Sequence, residues 1–271
     1  MSFKISLAGD LGSGKSTASK ILMARTGAEY YSTGTICRRE AAKHGMTIDE
    51  FNRYMESHPE VDKMIDDSLI ALSDDPRTLV IDSRMAFHFV KGTFRVYLTT
   101  EARTSAERIL GDKRVGESFD TVEETAKRVA ARRRSENLRY FEKYGVHIMD
   151  MMNYDLVLDT TAIAPDLVAE LILTSLQQWQ NEEGYRACYL DYRRFLSCDT
   201  VTEERKAAIQ QAIAERKPFP TPTVMEADGA YYVMSGLDAV IACKLRGEPI
   251  VPVTLLAGCP EHIEQYHPTF G

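Results

Sequence analysis

The chain has 271 residues, 44% hydrophobic and 27% charged, which suits one large globular unit or two modest ones. A formal charge of −7 argues against a nucleic acid as the main partner, because such binders need a basic face. Five cysteines without a CxxC pair or an accompanying histidine cluster indicate neither a disulfide framework nor a zinc site. The first strand is expected over residues 4–8. It runs straight into a glycine loop, so the apolar start is too short for a signal sequence or a membrane span, and a cytoplasmic protein with no membrane partner is expected. A helix over residues 18–24 follows the loop, then strands over 29–32, 78–82, 94–99 and 156–159. Helices intervene behind recognisable starts: Thr47 before Asp49 and Glu50, Thr100 before Glu101, and the capping box Thr121-Val-Glu-Glu124 opening a helix over residues 122–144. Strands separated by helices predict an α/β fold, a five-stranded parallel sheet with flanking helices over residues 1–180.

After Leu176 the texture changes. Residues 177–184 are polar apart from Trp179 and read as a junction. Residues 185–271 predict a small α+β unit with its own core: a helix over 202–216, a turn at Pro218, Pro220 and Pro222, and a hairpin of strands 223–226 and 230–234 around Ala227-Asp228-Gly229. A helix over 238–246 and a strand over 250–256 complete it.

Gly9-Asp-Leu-Gly-Ser-Gly-Lys15-Ser16-Thr17 fills every fixed position of G-x-x-x-x-G-K-[ST] between a strand and a helix. Glycines let successive N–H groups turn inward onto phosphate oxygens, and the helix N-terminus adds positive potential. Gly12, Ser13, Gly14, Lys15, Ser16 and Thr17 are therefore the expected ATP-binding residues, with Lys15 on the β/γ phosphates and Ser16 on Mg²⁺. No Asn-Lys-x-Asp segment is present to mark a GTPase. The span from Lys15 to the last strand of the first unit suits a small-molecule kinase.

The acceptor is expected at the C-terminal edge of the sheet, where ligands of open α/β sheets bind. Ser32, Thr33 and Gly34 end one strand there, and Arg38, one turn on, is placed to grip a phosphate bidentately. Asp82 and Arg84 end another strand, Asp82 for Mg²⁺ and the acceptor, Arg84 for the acceptor phosphate. The helix over 122–144 places Val122, Ala126, Val129, Ala130, Tyr140, Phe141 and Tyr144 on one face and Arg128, Arg132 and Arg139 roughly opposite. Phosphoryl transfer needs positioned cations around the moving group, so Arg132 and Arg139, with Lys15, are the expected catalytic residues. Arg133 falls among the apolar positions and must find a partner or face the cleft.

Residues 1–176 resemble the nucleoside-monophosphate kinases, specifically the archaeal-type cytidylate kinases. The resemblance is carried by the phosphate loop, Ser32-Thr-Gly-Thr-Ile-Cys-Arg38, Gly45-Met-Thr-Ile-Asp-Glu-Phe-Asn52 and Glu56-Ser-His-Pro-Glu60 with Asp62. It continues through Arg134-Ser-Glu136 with Arg139-Tyr140, and Tyr154-Asp-Leu-Val-Leu-Asp159. It implies transfer of the ATP γ-phosphate to CMP or dCMP, with mobile acceptor-binding helices over residues 35–72 and a lid over about 111–140. One departure is Ser83, where the family has the glycine of a Gly-Arg pair; a side chain there narrows or redirects the acceptor pocket. The alternatives are another nucleotide or phosphorylated acceptor, or a nucleotide-sensing regulator. About residues 186–257 resemble the ParB/sulfiredoxin-like fold, with Leu237, Asp238 and Ala239 in place of that family's basic phosphate-holding residues. Regulation, docking or homodimerisation is expected of this tail rather than a second activity.

Overall fold

The computed structural model describes residues 2–111, 121–227 and 229–270. The first unit runs β1 (Lys4–Gly9), α1 (Lys15–Thr26), β2 (Glu29–Ser32), α2 (Thr33–Lys43), α3 (Ile48–Ser57), α4 (Pro59–Ala71), β3 (Leu79–Asp82), α5 (Ala86–Phe89), β4 (Phe94–Thr99), α6 (Ala102–Gly111), α7 (Val122–Tyr144), β5 (Leu156–Asp159) and α8 (Pro165–Asn181). The tail adds β6 (Ala187–Asp191), β7 (Phe195–Ser197), α9 (Glu203–Ala214), β8 (Thr223–Ala227), β9 (Ala230–Ser235), α10 (Leu237–Arg246), β10 (Ile250–Pro252), β11 (Thr254–Leu256) and β12 (His267–Pro268). Local chemistry sets several of these boundaries. Thr47 and Glu50 form a reciprocal capping box on α3, and Thr121 accepts from the Glu124 amide to start α7. Residues 112–120 of the expected lid, and Asp228 of the hairpin turn, lie outside the described residues.

Strands β2-β3-β1-β4-β5 are parallel neighbours, as the alternating pattern predicts. The sheet does not stop at five. β6 pairs parallel with β5, and β10 pairs antiparallel with β6, giving a mixed seven-stranded sheet. The tail thus covers the β5 edge that a five-stranded sheet would leave open, and an open edge is a row of unpaired backbone groups. Neither β6 nor β7 was expected from the sequence, because Tyr185-Arg-Ala-Cys-Tyr-Leu-Asp-Tyr-Arg-Arg194 is too short and too polar to show a clear period. The strand expected over 250–256 divides at Val253. Its first half joins the large sheet. The second pairs with β8 in a five-stranded sheet ordered β11-β8-β9-β7-β12.

Packing follows the same division. Ile5, Leu7, Val80, Val96, Leu98 and Leu156 face α1 and α8, where Leu22, Ile172 and Leu176 close over them. The opposite face of the sheet presents Ala8, Ile81, Tyr97 and Val157. These share one cluster with the tail residues Leu190, Phe195, Tyr231, Val240 and Val251. Among the described residues these buried tail side chains thus belong to one cluster with the sheet, where a core of the tail's own was expected. Its apolar side is used on the sheet.

Candidate active site

Parallel pairing brings the C-terminal ends of β1, β2, β3, β4 and β5 to one edge, so Gly9, Ser32, Asp82, Thr99 and Asp159 lie in a row across the sheet. The phosphate loop rises from the middle of that row. Gly9 has φ 136°, and a Cβ there would sit 2.1 Å from the Leu98 carbonyl oxygen; Gly12 has φ 71°, with a Cβ 2.7 Å from the Ser105 carbonyl oxygen. Both positions demand glycine for conformation and for space. Gly14, also left-handed, is the N-cap of α1, and its carbonyl accepts from the Thr17 amide at 3.0 Å and the Ala18 amide at 2.9 Å. Ser13 is buried and donates to the Asp10 carbonyl at 2.8 Å. Ser16 and Thr17 are exposed. Lys15 donates to the carbonyls of Gly9 and Asp10. Burial, with a smaller contribution from Arg84, brings its ammonium down to about 8 against the opposing pull of Asp82, Asp10 and Glu136.

Asp10, a variable position of the loop, is a hub. Its carboxylate accepts from Tyr97 Oη at 2.9 Å, Thr99 Oγ1 at 2.9 Å and the Thr100 amide at 3.2 Å. Its positive partner is Arg133 of α7, with Nε 3.3 Å from Oδ1. This is the arginine whose position on the helix required a partner. One turn further along α7, Glu136 binds two cations, Arg84 Nε at 2.8 Å and Arg132 Nε at 3.0 Å. Arg84, Arg133, Glu136, Asp10 and Gly9 line a cleft with about 360 Å³ of empty space, floored by Tyr97 and Tyr154.

Arg139 turns from this cleft toward α4. Its guanidinium lies 4.9 Å from the Tyr140 ring centroid, donates to the Tyr140 hydroxyl at 3.2 Å, and is within electrostatic reach of Asp62 and Glu136. The end of α7 is fastened to the same helix: Lys143 pairs with Asp62, and Tyr144 Oη donates to Asp66 at 2.7 Å. The expected apolar face of α7 is only partly used, since Phe141 is exposed and stacks on His147.

On the acceptor side, the Ser32 hydroxyl accepts from the Thr35 amide and caps α2. Thr33 and Gly34 open that helix, and exposed Arg38 donates to Thr35 Oγ1 at 3.3 Å. Tyr30, Tyr31, Ser32, Thr35, Ile36 and Arg39 line an open groove with about 560 Å³ of empty space. Asp82 accepts from Tyr30 Oη at 2.8 Å, and burial together with that carboxylate pushes the Tyr30 phenol up to about 12. Ser83 is buried, and its hydroxyl accepts from the Met85 amide at 3.4 Å, so the oxygen is engaged in the turn after β3.

The family model for an AAA domain matches residues 5–127. The cytidylate kinase of Thermoplasma volcanium is 34% identical over 186 residues, 67% of this chain and 95% of that protein. The chain belongs to the cytidylate kinase family. It is a phosphotransferase. The cytidylate kinase of Archaeoglobus fulgidus is 30% identical over 175 residues, 64% of this chain and 94% of the relative. A second kind of relative is the S-adenosylmethionine-dependent nucleotide dehydratase of Lacinutrix mariniflava, 35% identical over 179 residues, 66% of this chain and 37% of that protein.

In this kinase-family chain the structure adds residues to the site that sequence reasoning passed over. Asp10 carried a signal, since an acid inside a phosphate-binding loop needs cations and donors around it. Arg108 of α6 donates to the Gly12 carbonyl at 3.3 Å and the Thr160 carbonyl at 2.8 Å, bridging the loop to the end of β5. Nothing local in the sequence distinguishes it from a surface arginine. Glu136 was visible only as part of the family motif, without a role. Arg194, from the tail, reaches Asp159 at 2.7 Å; its sequence neighbourhood carries no motif at all.

Proposed function

We propose that the chain transfers the γ-phosphoryl group of ATP to a nucleoside monophosphate, with CMP or dCMP as the acceptor. The observation that carries this reading is the meeting of cations from the loop, a strand end and the lid helix around Glu136: Arg84 and Arg133 line the cleft with it, Arg84 and Arg132 pair with its carboxylate, and Lys15 lies within its electrostatic reach. Phosphoryl transfer needs mainly such positioning and charge neutralisation. The acceptor assignment is supported by the cytidylate kinase relatives, which align over nearly their full length.

In this reading the loop Gly12–Thr17, with the Lys15 ammonium, holds the β and γ phosphates. Ser32, Thr33, Gly34 and Arg38 line the acceptor side, and Arg84 grips the acceptor phosphate. Arg132 neutralises the moving group, with Glu136 between the Arg84 and Arg132 guanidinia; Arg139, expected as its partner, lies against Tyr140 and near Asp62 instead and has no part in this reading. An acceptor phosphate oxygen attacks the γ-phosphorus, the bond to the β-phosphate oxygen breaks, and ADP leaves. Among the described residues no group of three or more His, Cys, Asp and Glu could hold a metal ion by itself. That fits Mg²⁺, which binds through one or two protein oxygens together with substrate phosphates; the exposed Ser16 hydroxyl and Asp82 are the residues that would hold it, neutralising phosphate charge when it is bound.

For the tail, we read residues 185–271 as a ParB/sulfiredoxin-like unit without phosphate binding. Asp238 in the first turn of α10 pairs with Arg205 at 2.7 Å, which leaves a carboxylate and no free cation at that turn. A cytoplasmic setting suits the five cysteines, all unpaired. No helix among the described residues is long and apolar enough to cross a membrane. ADP release measured against a panel of nucleoside monophosphates tests the acceptor. Stimulation is expected to be strongest with CMP or dCMP, and no stimulation by either removes that assignment.

A further inference from the structure

The cytidylate kinase relatives match about two thirds of this chain, yet the tail reaches the phosphate loop through a buried polar chain. Thr99 ends β4 beside the loop. Its hydroxyl has one proton, and that proton is spent on Asp10 Oδ2 at 2.9 Å. Two tail groups lie against the same oxygen, Arg194 Nη1 at 3.3 Å and Tyr231 Oη at 3.4 Å. Because Thr99 has no second proton, both must donate to it. The direction of the chain is therefore fixed: tail donors to Thr99, Thr99 to Asp10. The Arg194 guanidinium, 4.5 Å from the Tyr231 ring centroid, also donates to the Gly229 carbonyl at 3.3 Å.

A second arm leaves the same arginine. Arg194 Nη1 donates to Asp159 Oδ2 at 2.7 Å, and Asp159 Oδ1 accepts from the amide and hydroxyl of Thr161. The adjoining Thr160 donates its hydroxyl to the Ser13 carbonyl at 3.0 Å. The loop is thus tied at Asp10 to a hydroxyl that Arg194 donates to, and at Ser13 to Thr160, which follows the Asp159 that Arg194 pairs with and is also held by Arg108. Glu226 and Tyr231 of the β8–β9 hairpin lie within electrostatic reach of Arg133, the lid arginine paired with Asp10.

We propose that the tail completes the nucleotide site, with Arg194 and Tyr231 as positioning residues that act through Thr99 and Asp159 to fix the phosphate loop in its binding conformation. The inference rests on the reading of the loop as a nucleoside di- and triphosphate site. It does not depend on which monophosphate is the acceptor. Phosphate amides bind only when their N–H groups converge, so a loosened loop loses affinity for polyphosphate while the acceptor groove beyond β2 is untouched.

The test uses the full chain and two mild variants. Tyr231→Phe keeps the buried ring and removes one donor. Arg194→Lys keeps a cation for Asp159 but cannot reach Thr99 and Gly229 at the same time. Calorimetric titration with Mg-ADP is expected to show Kd raised about three- to tenfold in each, the effect of one lost hydrogen bond. Titration with CMP in the same variants is expected to match the parent chain, and Tyr266→Phe, a tail tyrosine remote from the loop, to bind ADP normally. Parent-like ADP affinity in both variants overturns the inference, as does an equal loss of ADP and CMP affinity, the mark of general loosening. Failure of the parent to bind ADP removes the phosphate-loop reading and the inference together. Failure to bind CMP alone removes only the acceptor assignment.

Discussion

Replacing Arg194 by methionine tests how strongly the tail is tied to the first unit. Asp159 is fully buried, and the Arg194 side chain is only 13% exposed, so R194M leaves a buried carboxylate with its Thr161 donors and without its cation. Removing one partner of a buried pair costs about 3–5 kcal/mol. Unfolding entropy of about 2.1 cal/mol/K per residue gives about 0.6 kcal/mol/K for this chain length, so the melting temperature should fall by about 5–9 °C. Scanning calorimetry at neutral pH measures it. The companion D159N/R194M removes both charges, and since a neutralised pair costs far less than an orphaned charge, at least half of the loss should return. A fall below about 2 °C in R194M, or a double variant no more stable than the single, refutes the reasoning.

Three other outcomes are expected. G9A should fail to fold or to bind ADP, because its Cβ would meet the Leu98 carbonyl 2.1 Å away; soluble G9A with parent-like binding would show that the β1–β4 approach is not as close as described. The affinity for Mg-ADP should be flat at low pH and fall as pH rises through about 8, where the free enzyme's Lys15 loses the proton that attracts phosphate. The sign for stability is opposite. Between about 8 and the ordinary lysine value of 10.5 the unfolded chain holds a proton that the folded one lacks, so this group favours folding more as pH rises; titrations at several pH values and denaturant melts separate the two. A chain ended at residue 180 loses β6 and β10 from the large sheet and the tail half of the shared core, exposing Tyr97 and Val157. It should aggregate or melt well below the full chain, and equal stability and activity would count against a shared core.

How far the sequence alone reaches is set by range. The glycine loop, the five parallel strands, and the helix caps at Thr47 and Thr121 are local: each depends on the φ preference of glycine, a run of apolar residues, or a hydroxyl three residues from an amide. Those features, with the spaced family motifs, are enough for the fold of the first unit and for phosphoryl transfer. What the sequence could not supply was the meeting of residues far apart in the chain. Asp10 is joined by Thr99 and Arg133, and Arg84 by Glu136, across separations that no period or motif spans. The tail showed a hairpin and two helices of its own, and so read as a separate body. Only tertiary packing revealed that its first strand extends the kinase sheet and that Arg194 enters the polar network behind the loop, because an edge strand's pairing partner and a buried charge's counterion are chosen by the assembled fold rather than by their neighbours in sequence.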